Sequence, residues 1–336
     1  MKDGLIFANA RAKGKEGNLL SKERLMRMTE AKNLSDAMRI LLEVNYAAGF
    51  IPEKEDFYSL LEEEERLTAA FVREAAPKES GIECYFLRND YHNLKVLFKQ
   101  KYANLIDIDS LVLPDGNYTF GYLKERFDQN KTDFSPYVEK ACEQINKAFE
   151  VGNGTPRLID VVLDKALYDD INSRLGKNAD KYIKQYFRAN ADLTNVLSYL
   201  RAEKIGAGGN FFAEGFIEGG NITEKEFLGF SGDKNKLSNY LAGSYLKEFA
   251  DKVSSDDFAA YETAQDEYLL KIFSVNKTDM FSVAPILGYY LAKLNEIKVI
   301  RVVLVCIKNG VPEDQMKKRG FFFPHAPPTS IMTAPT

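Results

Sequence analysis

Histidine and cysteine are scarce in this chain of 336 residues: two histidines, His92 and His325, and three cysteines, Cys84, Cys142 and Cys306. A structural zinc site needs four closely spaced ligands drawn largely from these types. No Cys-x-x-Cys occurs, which excludes zinc ribbons and dithiol redox motifs. Widely separated free cysteines fit a reducing cytoplasm. No apolar run approaches the roughly 18–20 residues of a membrane helix. The start, Met1-Lys2-Asp3-Gly4, leads into mixed sequence and not into an apolar signal core, so secretion is not expected. Positive charge is not in excess: 45 Lys and Arg against 49 Asp and Glu give a net −4. A dedicated nucleic-acid binder normally carries a basic face, so no nucleic-acid partner is expected.

Proline is sparse where it matters for fold. Of the 11 prolines, four fall in the last 13 residues, at Pro324, Pro327, Pro328 and Pro335. The other seven are Pro52, Pro77, Pro114, Pro136, Pro156, Pro285 and Pro312. Proline removes a donor and clashes with the preceding turn, so long proline-free stretches permit many uninterrupted helices. Ala37, Ile40, Leu41 and Val44 follow the i, i+3, i+4, i+7 spacing of one helical face, as do Leu193, Val196, Leu197 and Leu200. Leu94, Leu97, Phe98 and Tyr102 nearly do. Clean strand alternation is almost absent, and the reading is all-α. With 45% hydrophobic and 28% charged residues the chain is globular, and length alone suggests about two domains. The exception is Ile297–Ile307, rich in β-branched residues, whose propensity favours a strand. A buried central helix would also be apolar nearly all round.

Internal repetition weighs on that choice. Asp90-x-x-Asn93-Leu94-x-x-Leu97-x-Lys99 recurs as Asp192-x-x-Asn195-Val196-x-x-Tyr199-x-Arg201. In a weaker third copy, Glu296, Ile297 and Ile300 occupy the places of Asn195, Val196 and Tyr199. There the Asp and Lys/Arg positions hold Lys293 and Val302, and only the apolar frame is expected to survive. A second pattern, Leu20-Ser21-x-x-x-Leu25, returns as Tyr118-Thr119-x-x-x-Leu123 and Ile222-Thr223-x-x-x-Phe227. Each hydroxyl residue reads as a helix N-cap, with apolar residues spaced as a hydrophobic staple. Pro52-x-x-x-Asp56 and Pro156-x-x-x-Asp160 read as helix starts. Three patterns share one period of about 100 in one order. The expectation is three helical units, at 1–110, 111–212 and 213–319, followed by a tail at 320–336. Ile297–Ile307 then aligns with helical segments and reads as a buried helix.

The opening Phe7-Ala8-Asn9-Ala10-Arg11-Ala12-Lys13 with Asn18-Leu19-Leu20-Ser21 resembles the start of the V-type ATPase/ATP synthase C-subunit family, whose eukaryotic relative is the d subunit. Asn89-Asp90-Tyr91-His92-Asn93-Leu94-Lys95 fits that family's first repeat. Pro156-x-x-Ile159-Asp160-x-x-Leu163-Asp164-x-x-x-Tyr168 fits its second. Asn295-Glu296-Ile297-x-x-Ile300-Arg301, with Lys308-Asn309-Gly310-Val311-Pro312, fits its third. The resemblance covers roughly residues 5–319. It implies a non-catalytic central-stalk subunit of a rotary ATPase, peripheral on the cytoplasmic face of the membrane. In that family three helical units form a funnel around a pseudo-threefold axis, between the central-stalk shaft and the membrane rotor ring. Shaft subunits and rotor ring are therefore the implied partners, with no transmembrane segment in this chain and no obligate homo-oligomer. Whether protons or sodium ions move, and whether ATP is made or hydrolysed, belongs to the ring and the catalytic subunits. After Arg319 the sequence departs from the family pattern into Phe321-Phe322-Phe323-Pro324-His325-Ala326-Pro327-Pro328. Disorder is the default reading of that tail; an aromatic anchor on a neighbour and an altered coding end are the alternatives.

Chemistry-bearing motifs are thin. Gly14-Lys15 has Asn9 and Glu16 where a phosphate-binding loop needs Gly and a hydroxyl, and reads as a turn. Gly206-Ala207-Gly208-Gly209-Asn210-Phe211 follows a helix and reads as a C-cap and loop. Glu62-Glu63-Glu64-Glu65 reads as a solvated face, because consecutive helical residues point in different directions. Asp160, Asp164 and Tyr168 share a face and read as polar contacts between helices or subunits. His92 reads as a surface or hydrogen-bonded histidine. Arg301, set in an apolar helix, needs either a buried carboxylate partner or a shaft to contact. No catalytic, cofactor-binding or metal-ligating residue is assigned, and no cofactor is expected. The alternative functions are a helical-repeat scaffold of an unrelated complex and an enzyme built from scattered carboxylates.

Overall fold

The computed structural model describes residues 2–312 and Met316, apart from residues 54, 104, 107, 109, 110, 231 and 256. The tail expected at 320–336 lies outside the described residues. Among those described there is no strand, and fourteen α-helices follow one another. In order they are α1 (Lys2–Glu16), α2 (Lys22–Thr29), α3 (Leu34–Glu43), α4 (Phe57–Ala75), α5 (Glu83–Ala103), α6 (Phe120–Asp128) and α7 (Pro136–Glu150). Then come α8 (Pro156–Arg174), α9 (Lys181–Lys204), α10 (Gly208–Gly215), α11 (Glu224–Phe230), α12 (Lys234–Ala242), α13 (Phe258–Ser274) and α14 (Ala284–Lys308). The all-α reading holds.

Two compact units are formed. One runs Pro77–Asn276; the other joins Lys2–Ala76 to the described residues from Lys277 to Pro312 and Met316. In the first, α5 packs on α8, α9 on α13, and α7 on α8. In the second, α14 packs on α4 and α1, with α2 and α3 alongside. Its core places Leu25, Met28, Leu41 and Phe57 with Ile297, Ile300, Val303 and Leu304. Aromatic residues fill the first unit, where Phe227 packs among Tyr199, Phe212, Phe216 and Phe230.

The segment Ile297–Ile307 is helical, inside the 25-residue α14. Its β-branched residues bury Ile297, Ile300 and Val303, yet Lys298, Arg301 and Val302 are exposed. Those positions recur at helical spacing, so one stripe of the helix meets water and the expected all-round burial is corrected.

The three hydroxyl caps are where the sequence places them. Ser21, Thr119 and Thr223 accept the backbone N–H of Arg24, Tyr122 and Glu226, each at 3.3 Å. Their flanking apolar residues Leu20 and Leu25, and Ile222 and Phe227, are buried. Pro156 does open α8 behind the Thr155 cap. Pro52 does not open α4, which begins at Phe57 behind an Asp56 cap. The matched proline spacing thus has no matched structural role.

The recurring Asp and Asn carry equivalent hydrogen bonds. Asp90 accepts the N–H groups of Asn117 and Tyr118 at 2.9 and 3.1 Å. Asp192 accepts those of Asn221 and Ile222 at 2.8 and 3.0 Å. Asn93 pairs both ways with the Leu113 backbone, and Asn195 does so with Ile217 at 2.8 and 2.9 Å. Lys99–Asp160 and Arg201–Glu262, both at 2.7 Å, are ion pairs displaced by the same 102 positions.

Asn195 is fully buried. Asn195→Ala would strand both the N–H and the C=O of Ile217, at about 1–3 kcal/mol for each unpaired buried group. Urea unfolding should show a loss of about 2–4 kcal/mol, and Asn93→Ala, whose bonds are only part-buried, should lose less.

Candidate functional site

Three ionisable side chains meet below the surface of the unit that contains α14. Lys293 Nζ, with its side chain 2% exposed, lies 2.6 Å from Glu296 Oε1 and 3.0 Å from Glu64 Oε1. Glu296 follows Lys293 by three residues on α14 and so shares its face, while Glu64 reaches in from α4. The other two carboxylate oxygens take backbone donors. Glu296 Oε2 accepts the Leu20 N–H at 2.5 Å and Glu64 Oε2 the Ala47 N–H at 2.7 Å. The ammonium also lies 4.9 Å from the centre of the Tyr46 ring, a cation–π contact.

One ammonium thus faces two carboxylates. Burial pulls the Lys293 pKa down, but the charges of Glu296 and Glu64 together outweigh it and leave it raised. Burial raises the Glu296 carboxyl, with Glu64 adding to the rise; Lys293 opposes this without cancelling it, since one cation cannot neutralise both. All four carboxylate oxygens are engaged, which suits a joint that fixes geometry and leaves no oxygen for substrate. The third occurrence of the sequence pattern, expected to keep only its apolar frame, therefore has a polar role as well. In it the carboxylate is Glu296, at the Asn place of the pattern, and Lys293 stands at the Asp place as its counter-ion. Glu64, expected on a solvated face, turns inward instead, while its neighbour Glu63 pairs with exposed Arg66. The sequence signal is Lys293-x-x-Glu296 standing where Asp-x-x-Asn stands twice before.

The cluster also anchors an unusual loop. Asn45, Ala47 and Ala48 have left-handed φ values of 55°, 51° and 52°, and Gly49 has 81°. A side chain in this region costs about 1–2 kcal/mol, with Asn among the better tolerated. A Cβ on Gly49 would stand 2.9 Å from Asn45 Oδ1, so glycine is needed there. Tyr46 and Ala47 are buried at the base, whereas Phe50 and Ile51 are 40% and 81% exposed.

Elsewhere the groups weighed from sequence have plain structural roles. Lys95 and Lys99 of α5 pair with Asp164 and Asp160 of α8 at 2.5 and 2.7 Å. These are contacts between helices, and Tyr168 is buried. His92 Nε2 lies 2.9 Å from the Leu111 carbonyl. Gly206, at φ +64°, follows the Ile205 C-cap of α9 as the left-handed residue that ends the helix. Gly14 and Lys15 lie in the last turn of α1 and not in a turn ahead of α2. The three cysteines are buried and free, and burial pushes the thiols of Cys84 and Cys142 up to about 12. Arg301 is not buried: its side chain is 45% exposed and stands 4.0 Å from Glu65. Among the described residues no group of three His, Cys, Asp or Glu could hold a metal ion. No helix among them is long and apolar enough to cross a membrane.

Residues 8–319 match the sequence profile of the ATP synthase (C/AC39) subunit family. The chain belongs to that family. The C subunits of V- and A-type ATPases are non-catalytic accessory parts of their complexes. The chain is 25% identical over 328 residues to the C subunit of the V-type sodium ATPase of Enterococcus hirae, covering 93% of this chain and 96% of that protein. It is 23% identical over 331 residues to the C subunit of the A-type ATP synthase of Thermococcus gammatolerans, covering 93% and 88%. The family match ends at residue 319, where the sequence leaves the family pattern.

Removing one partner of a buried ion cluster typically costs about 3–5 kcal/mol. Lys293→Met should lose about that much at neutral pH in urea unfolding. With Lys293 gone, the native state gains by protonating Glu296, because a raised carboxyl favours folding below its folded-state pKa. The deficit should therefore narrow as pH falls toward the usual glutamate value of 4.5. Arg301→Ala, at a half-exposed pair, should cost less than about 1 kcal/mol.

Proposed function

We propose that this chain is a mechanical adaptor in the central stalk of a rotary V/A-type ATPase, coupling the rotating shaft to the ion-carrying membrane ring. The observation that carries the reading is the family match across residues 8–319, joined by relatives covered over most of their length. The partners are the shaft subunits and the rotor ring, at the cytoplasmic face of the membrane. The ion, proton or sodium, is set by the ring; the Enterococcus relative is named for sodium.

Torque transmission asks for stiffness, and the buried polar joints within each compact unit support that reading. An internal triplication with units at 1–110, 111–212 and 213–319 is part of the proposal, as is the funnel that the family resemblance implies. Its support is the set of matched bonds. Asp90, Asp192 and Glu296 each accept an N–H just before a hydroxyl cap, that of Tyr118, Ile222 and Leu20. By these bounds each carboxylate and the cap it serves lie in successive units, and the bond from Leu20 to Glu296 runs from the first unit to the last.

Tagged chain, expressed at native level in its own organism, should co-purify with ATPase stalk and ring subunits. Repeated failure to bring them down would contradict the assignment, and recovery of an unrelated assembly would support the scaffold alternative.

A further inference from the structure

We propose that the loop Asn45–Ile51 is a preformed docking finger whose apolar tip, Phe50 and Ile51, seats in an apolar socket with a basic rim on a neighbouring protein of the assembly. This rests on the ATPase reading above.

The backbone supplies the first reason. Left-handed residues bearing a Cβ persist only where their surroundings enforce them, and they gather at clamps and contact sites. Here Ala47 and Ala48 are held left-handed with Asn45 and Gly49, and the enforcement is visible. The Ala47 N–H is fixed to Glu64, and the Tyr46 ring stands over Lys293. The base of the loop seats Tyr46 and Ala47 in the core, but the same turn ends by exposing Phe50 and Ile51.

Nor does joining two helices require it. The connection from α7 to α8 uses residues 151–155, with only Gly152 left-handed. The connection from α3 to α4 takes residues 44–56. Besides seating Tyr46 and Ala47 in the core, the extra chain presents a paired aromatic and aliphatic group on a fixed base. Such side chains act as interface anchors when they enter a desolvated pocket.

Charge identifies the class of partner. Glu53, Glu55 and Asp56 follow the tip and are exposed, and Lys54 is the one basic residue among them in sequence. An anionic bilayer attracts basic segments and repels this one. A protein socket rimmed by Lys or Arg is complementary to it.

The test is rebinding of the purified chain to an ATPase complex from which it has been stripped. Wild-type chain, the tip variant Phe50→Ser/Ile51→Ser and the charge variant Glu53→Lys/Glu55→Lys are compared, with urea midpoints recorded for each. The expected result is wild-type rebinding, rebinding of the tip variant weaker by about tenfold or more at an unchanged midpoint, and weaker rebinding of the charge variant at low salt. Equal rebinding of wild-type and tip variant overturns the finger and leaves the ATPase reading intact. Failure of the wild-type chain to rebind overturns both. Flotation of wild-type chain, but not the tip variant, with phosphatidylglycerol vesicles overturns the protein socket in favour of a membrane contact.

Discussion

A carboxylate inside a helical protein must find donors, and here the donors are backbone N–H groups at the entrance to another helix. The first turn of every helix leaves N–H groups without intrahelical partners. At Ser21, Thr119 and Thr223 the hydroxyl satisfies one donor inside the turn. The N–H just ahead of each cap goes to Glu296, Asp90 and Asp192 in turn. Each entry is thereby pinned by a side chain from a long helix elsewhere in the sequence. The anchoring has a cost that shows at Asp192, where burial raises the carboxyl even though Tyr245 and two backbone groups donate to it.

The third anchor shows how side-chain length and charge trade against each other. On α5 and α9 a short Asp reaches the entry, and an Asn one turn on pairs with a neighbouring backbone. On α14 the longer Glu296 makes the reach from the Asn position. Lys293 then fills the Asp position, where a second acid would repel the first. Glu64 from α4 completes the set and ties in the loop at Ala47. The start of the chain and its last long helix are locked together by charge as well as by the apolar core they share.

The parts of this arrangement that are readable in the sequence are the local ones. A hydroxyl between apolar residues at staple spacing is a self-contained signal, and all three caps are legible. Repetition makes α14 legible as a helix despite its β-branched residues. Burial direction is harder. Glu64 and Glu65 are neighbours, yet Glu64 reaches the Lys293 cluster and Glu65 does not, which only the packing of α4 on α14 decides. For Arg301 the apolar residues around it leave a buried ion pair and an exposed contact both open, and helical spacing turns it to the open stripe. The left-handed Ala47 and Ala48 carry no sequence signal at all, since tertiary contacts impose that backbone. The matched prolines mislead, because α4 begins beyond Pro52 behind an acidic cap.

Family membership is the ground for the proposed coupling role. The most direct measurement is ATP hydrolysis and ATP-driven ion uptake, made side by side on the reconstituted ATPase with and without this chain. Coupling through the chain requires that hydrolysis persist in its absence while uptake is lost, and that adding the chain back restore uptake. Full ion uptake by a complex that demonstrably lacks the chain would contradict the role.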